Sequence, residues 1–564
     1  MSTRAGSHPS SVRESGAASA RRPAACWAHA LAVLASFAVA TVGGTRSAGA
    51  HAESGSHVFA EPAVGGPFWE AMRLMNAELV AEAREHVVEL ENREPSSANA
   101  LGARARLLFL EGDFGAAREK LDAARSRPDY NEKVWSWFSE LLEQTWQTTR
   151  KLKPFPTSKG HFILMLEPGV DEVLIPYADA ALEAAYLAYG EIFGYFPPEP
   201  VPVHVYGKVE NLAAVSSLTV KQIQDSGTIA LCKYNRLMIT SPRDLIFGYD
   251  WLDTLAHEYI HYVIIKKSHN TVPIWIHEGL AKFFENRWKE STDAVMSPTS
   301  QDFLAKALED NALIEFAAMS PSMAKLPTQE ATALAFAEVF TVAQYLKEKR
   351  GIGAVKTLIE LMRDGKSDKE AVAEVFGQPF EAFERDWRKY VAGLPLVRLP
   401  SSFTTALLFK NRDKSDDELD RLGAEESKKH TYLGDRLRVM KRFVAAQREY
   451  ERAAEVSGSS SPVIQSKLAS TLLELGKAKE ALRAVLPALQ FYPEYVLLHL
   501  YSGKAHLVLT DYPSAVASFE RALQLNPFDP DAHEGLLVAS EKLGRSDVVA
   551  REREALRILD ADSQ

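Results

Sequence analysis

Leu475, Leu509 and Leu543 stand 34 residues apart, and so do Gly476, Thr510 and Gly544. Ala481 and Ala515 keep the same step, as do Ala488 and Ala522, and Pro493 and Pro527. An earlier unit fits through Ala446, Tyr450 and Ala453. A period of this length accommodates two antiparallel helices and their turns. Small residues recur where the two helices of a unit would cross, and the proline ends the second helix. A single helix pair cannot bury its apolar faces, so neighbouring units must stack on one another. Residues 431–564 are thereby constrained to an all-α stacked array.

This pattern resembles tetratricopeptide repeats, with Gly503, Ala515, Phe519, Ala522 and Pro527 fitting one unit. Residues 96–126 resemble one more: two helical stretches, 98–110 and 114–124, join at Glu111-Gly112-Asp113, and Gly112, Ala117, Leu121 and Ala124 repeat the spacing. The resemblance implies a concave surface for a peptide or protein partner. A clamp that fixes a neighbouring domain is the alternative use.

The chain has 564 residues, too many for one core. Between the helical ends lies a mixed segment. Residues 160–166, Val201–Tyr206, 228–232 and Arg236–Thr240 have strand character, the last two forming a hairpin around Lys233-Tyr234-Asn235. Ile175–Phe193 reads as a helix, and helices run from 253 to about 394. Strands followed by helices predict an α+β domain. The expected organisation is a signal peptide at 1–50, a flexible Gly/Ala/Ser-rich leader at 51–66 and tetratricopeptide-like helices at 67–155. The mixed α+β domain follows at 156–395, then a polar linker at 396–430 and the repeats at 431–564.

Within that mixed domain, His257-Glu258-Tyr259-Ile260-His261 reads H-E-x-x-H in a helical stretch, 253–266. Residues four apart share a helix face, so both imidazoles can address one metal ion. Two His and a Glu among Ile260, Val263, Ile264 and Ile265 would be costly to bury without a partner. Downstream, Glu278 in Trp275-Ile276-His277-Glu278-Gly279-Leu280-Ala281 offers a third ligand. Two imidazoles and a carboxylate suit a hydrolytic zinc ion with one position left for water, and other divalent ions occupy such sets too. Glu258 lies on the right face to take a proton from that water and pass it to a leaving amine, and is not itself a ligand.

Residues 160–390 resemble the peptidase MA-like domain of gluzincin metallopeptidases. The resemblance rests on Ala256-His257-Glu258 with His261 and on Pro273 through Ala281, where the family carries Trp-x-x-Glu-Gly-Leu/Phe-Ala. The strand–helix–strand upstream and the closing 371–387, with Phe376-Gly377, also fit. It implies a zinc peptidase in which His257, His261 and Glu278 hold the metal and Glu258 is the base. Many relatives carry a Tyr in a late helix that stabilises the oxyanion. Here that position corresponds to Phe336, leaving Tyr249, Tyr345 or His277 as substitutes. Losing one oxyanion donor costs about 10²–10³ in rate, not the whole effect.

The remaining candidates have plainer readings. His277 faces away from Glu278 on a helix and is expected beside the site or at the surface. His269 is expected in a solvated loop, and His161 and His204 are expected to pack in strands. Tyr259 and Tyr262 are expected to pack too. Cys232 has no His at useful spacing and reads as an inert thiol. With Cys26 the only other cysteine, a Cys-rich zinc module is excluded.

Segment 1–50 is Ser/Ala-rich with five Arg and one Glu, an apolar run at 27–42 and a small-residue site at Ser47-Ala48-Gly49-Ala50. This predicts export to the periplasm or medium, with an uncleaved anchor as the rival. Arg21-Arg22 hints at a twin-arginine route. The formal charge of −10, about −14 without this segment, and the lack of a polybasic run elsewhere exclude nucleic acid as a partner. No other stretch is long and apolar enough to span a membrane.

The sequence therefore predicts an exported zinc metallopeptidase acting on a peptide or protein, flanked by repeats that bind a partner or substrate. Two rivals stand beside it. One is a non-catalytic tetratricopeptide scaffold with a structural or vestigial metal site. The other is an amidase or another hydrolase on the same fold.

Overall fold

A computed structural model of the chain describes residues 66–289, 294–319, 323, 326–400, 408–410, 419, 422–458 and 460–562. The expected export segment and the leader up to residue 65 lie outside these. The described chain is mostly helical, with one small mixed sheet.

The N-terminal helices are α1 (Pro67–Asn76), α2 (Val80–Arg93), α3 (Ala98–Glu111), α4 (Phe114–Arg125) and α5 (Glu132–Thr149). The α3–α4 pair is punctuated as its sequence dictates. Ser97 caps α3 by accepting from the Ala100 amide, Gly112 ends it in the left-handed region, and Asp113 caps α4.

The sheet has the order β1-β2-β3-β5-β4. Its strands are β1 (Lys153–Pro156), β2 (Phe162–Leu166), β3 (Val201–Tyr206), β4 (Ala230–Lys233) and β5 (Arg236–Thr240). β2, β3 and β5 run parallel, and the outer strands β1 and β4 pair antiparallel with β2 and β5. Helix α6 (Ile175–Phe193) connects β2 to β3, and α7 (Val209–Ala214) and α8 (Val220–Ser226) follow β3. α6 packs beside α9 (Trp251–Ser268) on one face of the sheet, where Phe162 meets Tyr259 with ring centroids 4.9 Å apart. The N-terminal helices cover the other face. There Phe114 meets His204, and the buried Arg236 guanidinium lies 4.7 Å from the ring centroids of both Phe109 and Phe114.

The domain is completed by α10 (Ile274–Phe284), α11 (Pro298–Glu309), α12 (Gln329–Arg350), α13 (Gly353–Arg363), α14 (Asp368–Phe376) and α15 (Phe380–Ala392). α10 crosses α12 so closely that a Cβ on Gly279 would sit 2.7 Å from the Val339 carbonyl oxygen. The glycine of the Glu278-Gly279 step is thus needed for the crossing that sets the helix bearing Glu278.

The repeats comprise α16 (Glu425–Val439), α17 (Phe443–Ser457), α18 (Pro462–Glu474), α19 (Ala478–Leu489), α20 (Val496–Val508), α21 (Tyr512–Leu525), α22 (Pro530–Leu543) and α23 (Ser546–Asp562). The periodic alanines Ala481, Ala488, Ala515 and Ala522 are all buried. The array docks on the central domain. Tyr177 at the start of α6 donates to Glu552 of α23, whose other oxygen meets His533 Nδ1 at 2.5 Å. Within the stretch expected to be a polar linker, Phe409 forms an antiparallel bridge with Leu245, and Leu408 and Phe409 are both buried. No helix of the described residues is long and apolar enough to cross a membrane.

Candidate metal centre

α9 is buried on nearly every side, from Trp251 to Ile265. It ends at His269, which takes the left-handed cap position (φ 55°) and is exposed, as expected of a loop residue. α10 starts after Pro273, whose carbonyl accepts from the Ile276 and His277 amides, and Trp275 Nε1 donates to Asp368 at 2.8 Å. These anchors bring Glu278 over the two histidines.

The three proposed ligands converge. His257 Nε2 and His261 Nε2 are 3.1 Å apart, and Glu278 Oε2 lies 3.4 Å and 3.5 Å from them. Ligand bonds of about 2.0–2.2 Å in a tetrahedron leave roughly 3.3 Å between donor atoms, so the three atoms span one face of a zinc-sized site. Among the described residues this is the one group of His, Cys, Asp or Glu side chains arranged to hold a metal. All three are buried.

The charge balance favours a cation here. Burial opposes a charged His257, yet Glu278 and Glu285 outweigh it and raise its pKa to about 9. Burial likewise opposes ionisation of Glu278, but His261 and His257 hold its pKa at about 2. A divalent ion serves the same carboxylate as that proton does, and leaves the imidazoles neutral for coordination.

Glu258 points from the same helix with both carboxylate oxygens buried and not hydrogen-bonded, although the Cys232 amide of β4 lies close enough to favour its charged form. Burial pushes its pKa above the usual range, against the pull of His261 and His257. An ionisable group in this state is suited to proton transfer. Cys232 itself is buried, and its thiol is pushed up by that burial, in keeping with an inert role.

Two neighbours hold the imidazoles from behind. His257 Nδ1 meets Glu285 Oε2 at 3.0 Å, and Glu285 Oε1 also binds Lys282 at 2.7 Å. His261 Nδ1 meets His277 Nδ1 at 3.1 Å. With Nε2 aimed at the metal, His261 carries its proton on Nδ1 and donates it to His277. His277 is thus buried beside the site and not at the surface. Burial and the neighbouring His261 lower its pKa to about 3. Glu285 went unrecognised in the sequence. Its seven-residue spacing from Glu278, two helical turns along one face, is the signal that carries it. Tyr189 of α6 secures that turn by donating to the carbonyls of Phe284 and Glu285, at 3.0 Å each.

The oxyanion candidates separate. Phe336 is buried on α12, one turn before Val339 and Phe340. Tyr345 is committed to the rings of Phe376, Phe383 and Tyr390. The Tyr249 hydroxyl donates to the Thr240 carbonyl at 2.6 Å and lies near enough to Glu258 to feel its charge. His204 is buried in β3 against Tyr206, whereas His161 precedes β2, stacks on Tyr186 and pairs with Glu183. Tyr259 and Tyr262 are buried packing residues.

Residues 180–393 match the family model of the peptidase MA superfamily. Residues 70–131, 466–530 and 502–563 match that of the tetratricopeptide repeat. No curated protein matches the chain. Solved structures similar to it include the first TPR of Spaghetti (RPAP3) bound to HSP90 peptide SRMEEVD, 20% identical over 22% of this chain and 97% of that one, with a TM-score of 0.21. Another is the P58(IPK) TPR domain, 12% identical over 85% of this chain and 98% of that one, TM-score 0.20. A third is yeast LTA4 hydrolase in complex with bestatin, 11% identical over 72% of this chain and 67% of that one, TM-score 0.28. The chain thus carries a segment of the peptidase MA superfamily set between stretches that match tetratricopeptide repeats.

Proposed function

We propose that this protein is an exported zinc metallopeptidase. The observation that carries the reading is the convergence of His257, His261 and Glu278 beside a buried carboxylate, Glu258, that makes no hydrogen bond. The donor set fits zinc, which when held by these three residues supplies the Lewis acidity that activates a water and polarises a carbonyl. Glu258 takes the proton of the attacking water and returns it to the leaving amine. Glu285 and His277 hold the two imidazoles in one orientation and one tautomer. The surrounding apolar residues exclude bulk water, which strengthens each of these electrostatic contacts. The repeats supply a surface for a protein partner or substrate. Export rests on the Arg-bearing, Ala-rich segment 1–50.

The test is metal content by mass spectrometry on residues 51–564, with a peptide-library cleavage assay on the same samples. Wild type should hold about one zinc per chain, His261→Ala should lose it, and Glu258→Gln should keep it while losing cleavage. No zinc after metal-replete purification sinks the reading. Stoichiometric zinc without cleavage favours the scaffold alternative, to which Phe336, with no hydroxyl, lends support.

A further inference from the structure

The C-terminal repeats touch the metal-bearing helix at the point where it begins. Asp250 occupies the N-cap position of α9, but its side chain makes no capping hydrogen bond. Its Oδ2 instead accepts from Arg521 Nη2 of α21 at 2.6 Å, a contact spanning 271 residues of sequence. Backbone closes the same seam. The Tyr249 amide donates to the Leu525 carbonyl at 2.9 Å, and a Cβ on Gly248 (φ 69°) would sit 2.1 Å from that oxygen. Phe247 lies against Tyr495, ring centroids 5.6 Å apart.

What is held there leads directly to the chemistry. The Asp250 carbonyl accepts from the Thr254 amide at 3.0 Å, opening the helix that presents His257 two turns later. One turn on from Asp250, Asp253 is gripped by Trp288 Nε1 at 2.9 Å and Lys289 Nζ at 2.6 Å. The two carboxylates are close enough to repel, and Arg521 attracts both. Removing this guanidinium would leave two like charges on the first turn of α9, with the Asp250 carboxylate stripped of its hydrogen-bonding cation.

We propose that Arg521 is a positioning residue for the metal centre. Through Asp250 it fixes the first turn of α9, so that the repeat array itself holds His257 and Glu258 in register with Glu278. The array is then a built part of the site as well as a surface for partners. The proposal deepens the metallopeptidase reading, and only the metal-binding arm of its test rests on that reading.

The experiment uses the chain with its repeats intact and two measurements. Amide exchange over 250–258 is followed by mass spectrometry without metal, and the zinc dissociation constant is measured by chelator competition. Arg521→Met should speed exchange across the first turns of α9 and weaken zinc binding by about tenfold. Arg521→Lys should restore part of both. Asp250→Asn removes the charge that Arg521 balances, so adding Arg521→Met to it should cost little more. Tyr177→Phe, which removes one hydroxyl from the docking of α23 and leaves the Arg521–Asp250 contact in place, should change both readings less. Exchange and zinc affinity unaltered in Arg521→Met would overturn the proposal, as would an equal loss in Tyr177→Phe. If wild type binds no zinc, the metallopeptidase reading fails, and the exchange arm alone decides the role of Arg521.

Discussion

Glu285 holds His257 by the nitrogen that faces away from the metal position, at 3.0 Å. Carboxylates in this place fix the imidazole tautomer and raise its basicity, and losing one costs about 10–100-fold in metal affinity or activity. Glu285→Ala is therefore expected to raise the zinc dissociation constant by about that factor, with Glu285→Gln intermediate because an amide oxygen still accepts. Chelator competition checks this, and an unchanged constant would refute the role. A second carboxyl, Glu338 on α12, acts on stability. Burial lifts its pKa to about 8, against the pull of the Ile314 amide that donates to it at 2.8 Å and of Arg388. The unfolded chain releases this proton near 4.5 while the native chain keeps it until about 8, so this contribution to stability is full at low pH and is lost as pH rises through that window. In metal-free samples, Glu338→Gln should melt like wild type at acid pH and above it on the alkaline side. Equal melting temperatures at both ends would contradict the assignment. His257 and His261 were legible as candidates because a four-residue step puts them on one helix face with Glu258 beside the first, whereas Glu278, on another helix, was legible only through the run Trp275–Ala281. Glu285 was passed over: its seven-residue step from Glu278 puts it on the same face, but that step does not say that an imidazole of another helix packs there.

The β4–β5 hairpin shows how an element is completed from outside. Its turn residues Tyr234 and Asn235 both have positive φ, 58° and 61°, as a two-residue type I′ turn requires. Asn suits that region and Tyr does not. The compensation comes from the N-terminal helical unit: Glu78 accepts the Tyr234 amide at 2.7 Å and the Asn235 amide at 2.9 Å, and Lys266 of α9 donates to the Glu78 carbonyl. Glu78→Ala would strip an acceptor from both amides, and a lost buried partner costs about 1–3 kcal/mol. Denaturant unfolding of the metal-free chain should show a loss of that size, and no loss would mean that water replaces the carboxylate. The hairpin itself was readable from two short apolar runs on either side of Lys233-Tyr234-Asn235. The strand β1, Lys-Pro-Phe-Pro, was not, since two prolines argue against a ladder. It exists because it lies at the sheet edge, paired on one side only, where a missing N–H goes unneeded.

At the scale of the molecule, the 34-residue period announced a stacked array but said nothing of where the array would dock. Docking is set by unique contacts such as Tyr177–Glu552, Asp250–Arg521 and Tyr249–Leu525, which leave no periodic trace. Their effect is visible in the cores. Buried apolar residues of α21, α22 and α23, among them Phe519, Leu536 and Val548, belong to one continuous core with Tyr259 of α9 and Val203 of the sheet. Those of α17, α18 and α19, such as Tyr450, Ile464 and Val485, form a separate core. α20 divides between them, with Leu500 in the first and Leu498 in the second. In a free solenoid, stability passes from each repeat to its neighbours along one dimension. Here the last repeats are also bonded sideways to the peptidase domain. Native-state amide exchange should therefore show α21–α23 opening together with α9, while α17–α19 open separately and at lower denaturant. If α21–α23 instead opened with α17–α19 while α9 stayed protected, the array would be a tethered solenoid, and the shared core would contribute little to holding the candidate metal site.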